Sequence, residues 1–411
     1  MRGLLKIRVN LGFLVNPFYL YCIAFSIPII AYLLGWSKIF PGLSAYLILF
    51  FAVTFIIFIF AGYQLIQKRQ DLFIRHPFNQ YLYDIIFWLI ILLCFINIFY
   101  MGYLPILDRT HNYREFGMPV VDPLFNSLCI FFSVNYFHSF LDTRKKKFII
   151  YFLLILFIQI VLFRRSSIIW IITSSTFLFL LYKKKVSLLI ITAGIISIPL
   201  LSYCFGLYGN ARSKLSKSFV LNELGASDAF KNSGISYNHY MTYLYVSSPL
   251  ANLQENINKR GEEVKKGDAR DFLFYCLIPE TFTIRLEKPL HLSPPVCNLI
   301  TPELIAGSIF MVSFYTLGWY GMIIMFFYLF IFILLGSYVN RKWNTFGLEA
   351  FSLLSATVSL SIFSNFLNRL DVIMMLFIYP VLFHFIFTKP GKSAGSSFRI
   401  LPTPKPLNAE R

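Results

Sequence analysis

Apolar residues in this chain come in unbroken blocks. Over stretches of about 20 residues they are interrupted neither at the 3.6-residue spacing of an amphipathic helix nor at the two-residue spacing of a half-buried strand. Blocks that are hydrophobic all round, and of that length, match helices that cross hydrocarbon. The pattern predicts helices over 17–34, 43–66, 82–101, 121–140, 148–163, 166–182, 186–207, 317–337, 346–366 and 372–387. Most connections between them are short. The exception runs over 208–303, roughly 95 residues.

Two stretches need a physical choice. Residues 148–182 would make a helix of about 52 Å, at a rise of about 1.5 Å per residue, too long for one crossing. Arg164 and Arg165 fall at its centre, where they would be costly in lipid. Two short helices with the arginine pair at their turn resolve both problems. Residues 306–338 are also too long for one span, so 306–316 is expected to be interfacial or re-entrant, with Gly318 and Gly321 marking the start of the true span. In the long connection, Ser248-Pro249 predicts a helix start, running toward Lys259. Just before it, Tyr237, Tyr240, Met241 and Leu244 share one helical face that is expected to lie on the bilayer.

The predicted fold is therefore all-α: a polytopic integral membrane protein with about ten transmembrane helices and one long extracytoplasmic loop. Its regions are 1–207 with seven helices, 208–303 as the outer loop with interfacial helices, 304–388 with three helices, and a basic tail over 389–411 with a disordered composition.

Composition agrees. Charged residues make up only 14% of the chain and apolar residues 57%. A typical soluble domain has about 25% charged residues. A net charge of +18 raises the question of nucleic acid. The positive charges sit instead in short clusters at the ends of apolar blocks, where they act as topology signals. With a cytoplasmic N-terminus, about 20 basic residues fall in inner segments and about 6 in short outer ones. That asymmetry places both termini in the cytoplasm and the long loop outside. Cys276 and Cys297 lie in the long loop, where an oxidising compartment would let them pair; the remaining cysteines are in apolar blocks.

The candidate chemistry lies on the outer side. Arg164 and Arg165 run against the positive-inside trend. Either they snorkel to headgroups, or they form an anion site, since guanidinium pairs two-pronged with phosphate and Arg165 opens a helix. About a third of a turn around from Arg165, Arg164 is expected to face headgroups. Arg369, near Asn365, Asn368 and Asp371, is either half of an Arg–Asp pair closing a polar turn or a second arm of that site. Arg212, Arg260, Arg270 and Arg285 lie in the long loop, and Arg212 is nearest a helix end. For proton transfer the outer candidates are His111, His239, His291, Glu280, Glu303, Asp108 and Asp122, with His239 and Glu280 preferred for their aromatic surroundings. Asp84 and His138 sit near cytoplasmic helix ends and are assigned to structure. The chain has no phosphate-binding G-x-x-x-x-G-K-[ST] loop, no H-E-x-x-H, no D-x-D pair and no G-x-S-x-G elbow. The expected chemistry uses neither cofactor nor metal.

Three stretches carry a family resemblance: Phe163 to Trp170, with Arg165-Ser166 opening a span; Tyr240 to Asn252, with Tyr243, Ser248, Pro249, Leu250 and Asn252; and Thr301 to Tyr320, entering a span at Leu317-Gly318. With the overall layout, the chain resembles the Wzy-type O-antigen polymerases of bacterial surface polysaccharides. The resemblance implies an enzyme of the bacterial inner membrane that joins oligosaccharide units carried on undecaprenyl diphosphate. It implies catalytic roles among Arg164, Arg165, Arg369, His239 and Glu280, and substrate contacts from Arg212, Arg285, His291, Tyr243 and Asn252. Its expected partners are the lipid-linked oligosaccharide and membrane lipid, with a chain-length regulator as the protein partner to look for and no nucleic acid. An O-antigen ligase would share the arginine logic, and a lipid-linked oligosaccharide flippase or a polysaccharide acyltransferase stays open as a different class.

Overall fold

The computed structural model describes residues 8–67, 80–108, 116–183, 185–213, 216–259 and 268–387. Its regular structure is helical apart from a two-residue antiparallel pair, β1 (Arg8–Val9) with β2 (Val186–Ser187), and an isolated bridge between Ser37 and Ala226. The first half contains α1 (Pro17–Leu33), α2 (Ala45–Gln67), α3 (Gln80–Met101), α4 (Val121–Thr143), α5 (Lys146–Val161), α6 (Arg165–Lys183) and α7 (Leu188–Ser213). Pro17 at the first turn and the Asn16 side chain, which accepts from the Phe18 N–H, start α1 as expected of a capped helix. Six helices among the described residues are long and apolar enough to cross a membrane: α2, α3, α4, α6, α7 and the later helix over Trp319–Lys342. α1 and a helix over Leu370–Ile386 are shorter and apolar.

The long connection differs from expectation. It forms α8 (Lys217–Asn222), α9 (Asp228–Lys231), α10 (Tyr237–Lys259), α11 (Ala269–Phe272) with a following π turn (Leu273–Leu277), and α12 (Glu280–Leu286). After it come α13 (Ile309–Leu317) and α14 (Trp319–Lys342). The sequence predicts two pieces meeting at Ser248-Pro249, whereas α10 runs straight through Pro249. It is also not a surface helix along its length: Ser247 to Gln254 are buried, and α10 packs on α7, α1 and α13. Tertiary burial outweighs the local start signal, since a proline costs one ladder bond while the neighbouring helices bury the whole face. α8, α9 and the first turns of α10 close a second small core with Trp36 and Phe40 from the α1–α2 connection. Lys38 pairs with Asp228 at 2.8 Å across the same seam.

Every expected apolar block carries a helix. The block at 346–366 is shorter than expected: α15 (Gly347–Leu360) ends early, and a turn over 361–369 leads to α16 (Leu370–Ile373), a π turn (Met374–Ile378) and α17 (Tyr379–Phe387). Large apolar side chains cover the outside of α2, α3, α7 and α14, including Ile56, Trp88, Phe99, Ile196 and Phe327. An apolar surface of that extent belongs in lipid. The centre is reserved for α4 and α15. α4 packs against α3, α5, α6, α15 and α16, and α15 against α1, α6 and α14. Both are rich in small polar residues, which let helices approach closely and satisfy some hydroxyls on their own carbonyls.

α13 occupies most of the 306–316 stretch. It lies inside the bundle, with Phe310 packed among Tyr21, Phe25, Phe50 and Phe51 and the Ile309 N–H bonded to the Ser361 carbonyl at 2.9 Å. Gly318, at φ 64° and ψ −139°, breaks it from α14. That conformation is open essentially only to glycine. Cys276 and Cys297 are both free thiols. The tail assignment over 389–411 lies outside the described residues.

Candidate functional site

The start of α4, the start of α6 and the 361–371 turn meet at one end of the bundle. The α5–α6 turn closes through Phe163, at φ 54°, and the Arg164 N–H reaches back to the Gln159 carbonyl at 2.9 Å. This directs Arg164 inward. Its guanidinium forms an ion pair with Asp122 in the first turn of α4 and lies 5.4 Å from the Phe125 ring centroid. The expectation that Arg164 faces headgroups is therefore corrected: its side chain is 14% exposed. The partner lies 42 residues away, and helical phase alone does not show it.

On the facing side, Arg369 makes two hydrogen bonds to Asp371, Nε to Oδ1 at 3.1 Å and Nη2 to Oδ2 at 2.6 Å. The Arg–Asp pair that closes a polar turn is thus present. It is also more than a turn, because Asp371 is 4% exposed and its Oδ2 accepts from Asn126 Nδ2 at 2.8 Å. Asn126 Oδ1 in turn accepts from the Ser167 hydroxyl at 2.6 Å. Asn126 therefore joins α4 to α6 and α16, and with them the two arginine arms. The Arg369 guanidinium lies 5.5 Å from the Trp170 ring and 5.7 Å from the Phe366 ring, two rings packed 4.8 Å apart. At that range the faces of the rings attract the cation.

Burial works against the Arg369 charge, but Asp371 outweighs it, and with Glu280 and Asp122 adding their fields the guanidinium pKa rises above its ordinary value. Arg369 is charged at any physiological pH. Glu280 opens α12 above this cluster, held by its own N–H to the Asn368 carbonyl at 2.8 Å. Asn365 and Asn368 donate to the Cys276 and Tyr275 carbonyls at 2.8 and 3.1 Å, fastening the π turn over the same place. Arg165 stands half-buried in the first turn of α6. The cluster thus holds the Arg164–Asp122 and Arg369–Asp371 pairs, with Glu280 close enough for its field to reach Arg369 and the positive ends of α4 and α6 beside it.

Other candidates lie elsewhere. His239 is on α10, with Nδ1 3.0 Å from the Ser202 hydroxyl of α7. Tyr243 is buried in the second core, against Trp36, Phe40 and Tyr240. Asn252 is buried and ties down the 300–306 segment, donating to the Leu304 and Ala306 carbonyls at 2.6 and 2.8 Å and accepting from the Ile300 N–H at 3.0 Å. Arg285, His291 and Glu303 are exposed. The Arg270 guanidinium donates to the Leu290 carbonyl. Asp108 is half-buried at the end of a described segment. His111 and Arg260 lie outside the described residues, as does the side chain of Arg212. Asn126 carries no sequence signal, and Ser167 and Trp170 lie in the Phe163–Trp170 stretch without being singled out, because a serine, an asparagine or a tryptophan in an apolar block reads as packing. Among the described residues, no three His, Cys, Asp or Glu side chains group as a metal site would require.

The opposite end of the bundle holds a second polar group. His138 Nδ1 lies 2.5 Å from Glu349, and Lys147 pairs with Asp84, which also accepts from Tyr151 at 3.1 Å. The structural role expected for Asp84 and His138 fits these contacts. On the outside of the bundle, an apolar groove of about 600 Å³ runs between α2 and α14 from their starts, lined by Phe50, Val53, Ile57, Trp319 and Phe327.

Compared with known proteins, the chain matches no family model, no curated protein and no solved structure.

Proposed function

We propose that this protein polymerises oligosaccharide repeat units carried on a polyprenyl diphosphate, at the outer leaflet of a bacterial cytoplasmic membrane. One observation carries the reading: Arg164 and Arg369, far apart in sequence, are both tied to the start of α4, Arg164 through Asp122 and Arg369 through Asp371 and Asn126, and Arg165 opens α6 at the same end of the bundle. Fixed guanidiniums at a membrane face suit a diphosphate leaving group. In the proposed step the acceptor hydroxyl oxygen bonds to the anomeric carbon of the growing chain. The bond from that carbon to the diphosphate oxygen breaks, and the leaving charge is taken up against the arginines. Glu280, an exposed carboxylate whose field reaches Arg369, accepts the hydroxyl proton. The α2–α14 groove suits the apolar tail of a lipid carrier.

The proposal includes ten spans, counting α1, α5, α15 and the α16–α17 helix as crossings, with both termini cytoplasmic and the long connection outside. Reporter fusions after Lys185 and Lys342 are expected to read cytoplasmic, and fusions near Lys231 and Lys259 external. A cytoplasmic signal at Lys259 would overturn the orientation and the site with it.

The direct test is a deletion strain examined on a polysaccharide ladder. Single repeat units should persist while long chains disappear. Loss of the single units as well would point to a flippase, and polymer made but left unattached to a ligase. With purified protein in lipid and a synthetic lipid-linked unit, turnover is expected to survive EDTA. Loss of turnover that Mg²⁺ or Mn²⁺ restores would show that a metal takes part.

A further inference from the structure

The last turns of α14 hold polar groups that the proposed chemistry does not use. Ser337, Asn340 and Arg341 fall at i, i+3 and i+4 and so share one helix face. That face points into the protein: Asn340 is fully buried and Ser337 is 4% exposed. The Ser337 hydroxyl, both polar atoms of the Asn340 amide, and Nε and Nη2 of Arg341 are buried with no hydrogen-bond partner among the described residues. Nε and Nη2 form the edge of a guanidinium that makes two parallel bonds to an oxyanion. Leaving such an edge buried and unpaired is strongly unfavourable, more so beside an unpaired amide.

No carboxylate among the described residues is in place to neutralise it. Glu349 is engaged by His138, Asp84 by Lys147 and Tyr151, and Asp142 by Tyr182. Arg341 forms no ion pair among the described residues. The site is also remote from the arginine cluster. Asp122 and His138 stand near opposite ends of α4. At about 1.5 Å per residue that separation is about 24 Å along the helix. His138 contacts Glu349 at the start of α15, just beyond the end of α14.

We infer that Ser337, Asn340 and Arg341 bind a phosphate group at the membrane face opposite the arginine cluster: the guanidinium edge takes two phosphate oxygens, and the Asn340 amide and Ser337 hydroxyl complete the shell. The group is either the phosphodiester of a phospholipid headgroup or a soluble phosphate, and one experiment separates them. The full-length protein, stripped of lipid in detergent, is titrated with short-chain phosphatidylglycerol, with the matching diacylglycerol that lacks phosphate, and with inorganic phosphate. Thermal unfolding is followed, and bound lipid is counted by native mass spectrometry. A rise in Tm and one retained molecule with phosphatidylglycerol, but not with diacylglycerol or inorganic phosphate, assigns a headgroup. A rise with inorganic phosphate alone assigns a soluble ligand. Arg341→Gln should weaken the binding by about tenfold or more, as loss of charged hydrogen bonds does. Asn340→Ala should also weaken it, whereas Lys342→Gln, at the exposed neighbour, should not. No response to either phosphate source, equal binding of diacylglycerol, or unchanged affinity in both Arg341→Gln and Asn340→Ala would overturn the inference. If one variant does not fold, the other still decides.

Discussion

Replacing Arg165 by alanine is expected to abolish long polysaccharide chains while leaving the amount of protein in the membrane unchanged. Arg165 stands in the first turn of α6, half-buried beside the paired Arg164. In the proposed reaction it meets a diphosphate where the helix dipole and a fixed guanidinium act together. If it supplies transition-state stabilisation of ~3–4 kcal/mol, comparable to one oxyanion donor, the rate falls by ~10² to 10³. Arg165→Lys keeps the charge and loses the planar fork, so recovery should be partial. A ladder and a membrane immunoblot for each variant provide the check. Normal ladders from Arg165→Ala would return this residue to the role of a snorkelling surface charge.

Arg369→Ala should cost both folded protein and activity, for separable reasons. It would leave Asp371, whose side chain is 5% exposed, charged and without its two-pronged partner. Removing one member of a buried pair costs ~3–5 kcal/mol, and the partial exposure of Arg369 puts the expectation near the lower end. Abundance and Tm should therefore drop. Adding Asp371→Asn removes the orphaned charge and keeps an acceptor for Asn126, so the double variant should regain abundance. It should not regain polymer, because the second guanidinium arm is still missing. Long chains from the double variant would take Arg369 out of the site and leave it a purely structural role.

The helices were legible in the sequence because lipid demands long apolar blocks, and the arginine pair at 164 and 165 marked the α5–α6 turn because charge is costly in hydrocarbon. The polar middle of the molecule was not legible. Asn126 and Asp371 lie 245 residues apart, and the hydrogen bond that makes them one unit has no local signature. Helical phase set Arg164 toward headgroups, away from Arg165; the left-handed turn at Phe163 and the distant Asp122, which bring Arg164 inward, have no local signal. The face of Tyr237, Tyr240, Met241 and Leu244 was misplaced on the bilayer for a related reason. Tyrosine prefers the water boundary when nothing else is known, but here α8, α9 and the α1–α2 connection supply partners and enclose Tyr240, Met241 and Leu244. Periodicity reports what solvent a helix faces on average, and a polar helix enclosed by other helices faces none.

Burial of α10 has a consequence for how the chain is made. Two of its asparagines are satisfied by segments synthesised later: Asn252 by Ile300, Leu304 and Ala306, and Asn256 by the backbone of Asn298. When α10 leaves the ribosome these partners do not yet exist. During synthesis α10 can pack on the earlier α7 and α1, but Asn252 and Asn256 stay without these partners until the 298–306 segment arrives. Arrival of that segment and α13 then seals α10 between helices made before it and after it, so this part of the core is complete only late in translation.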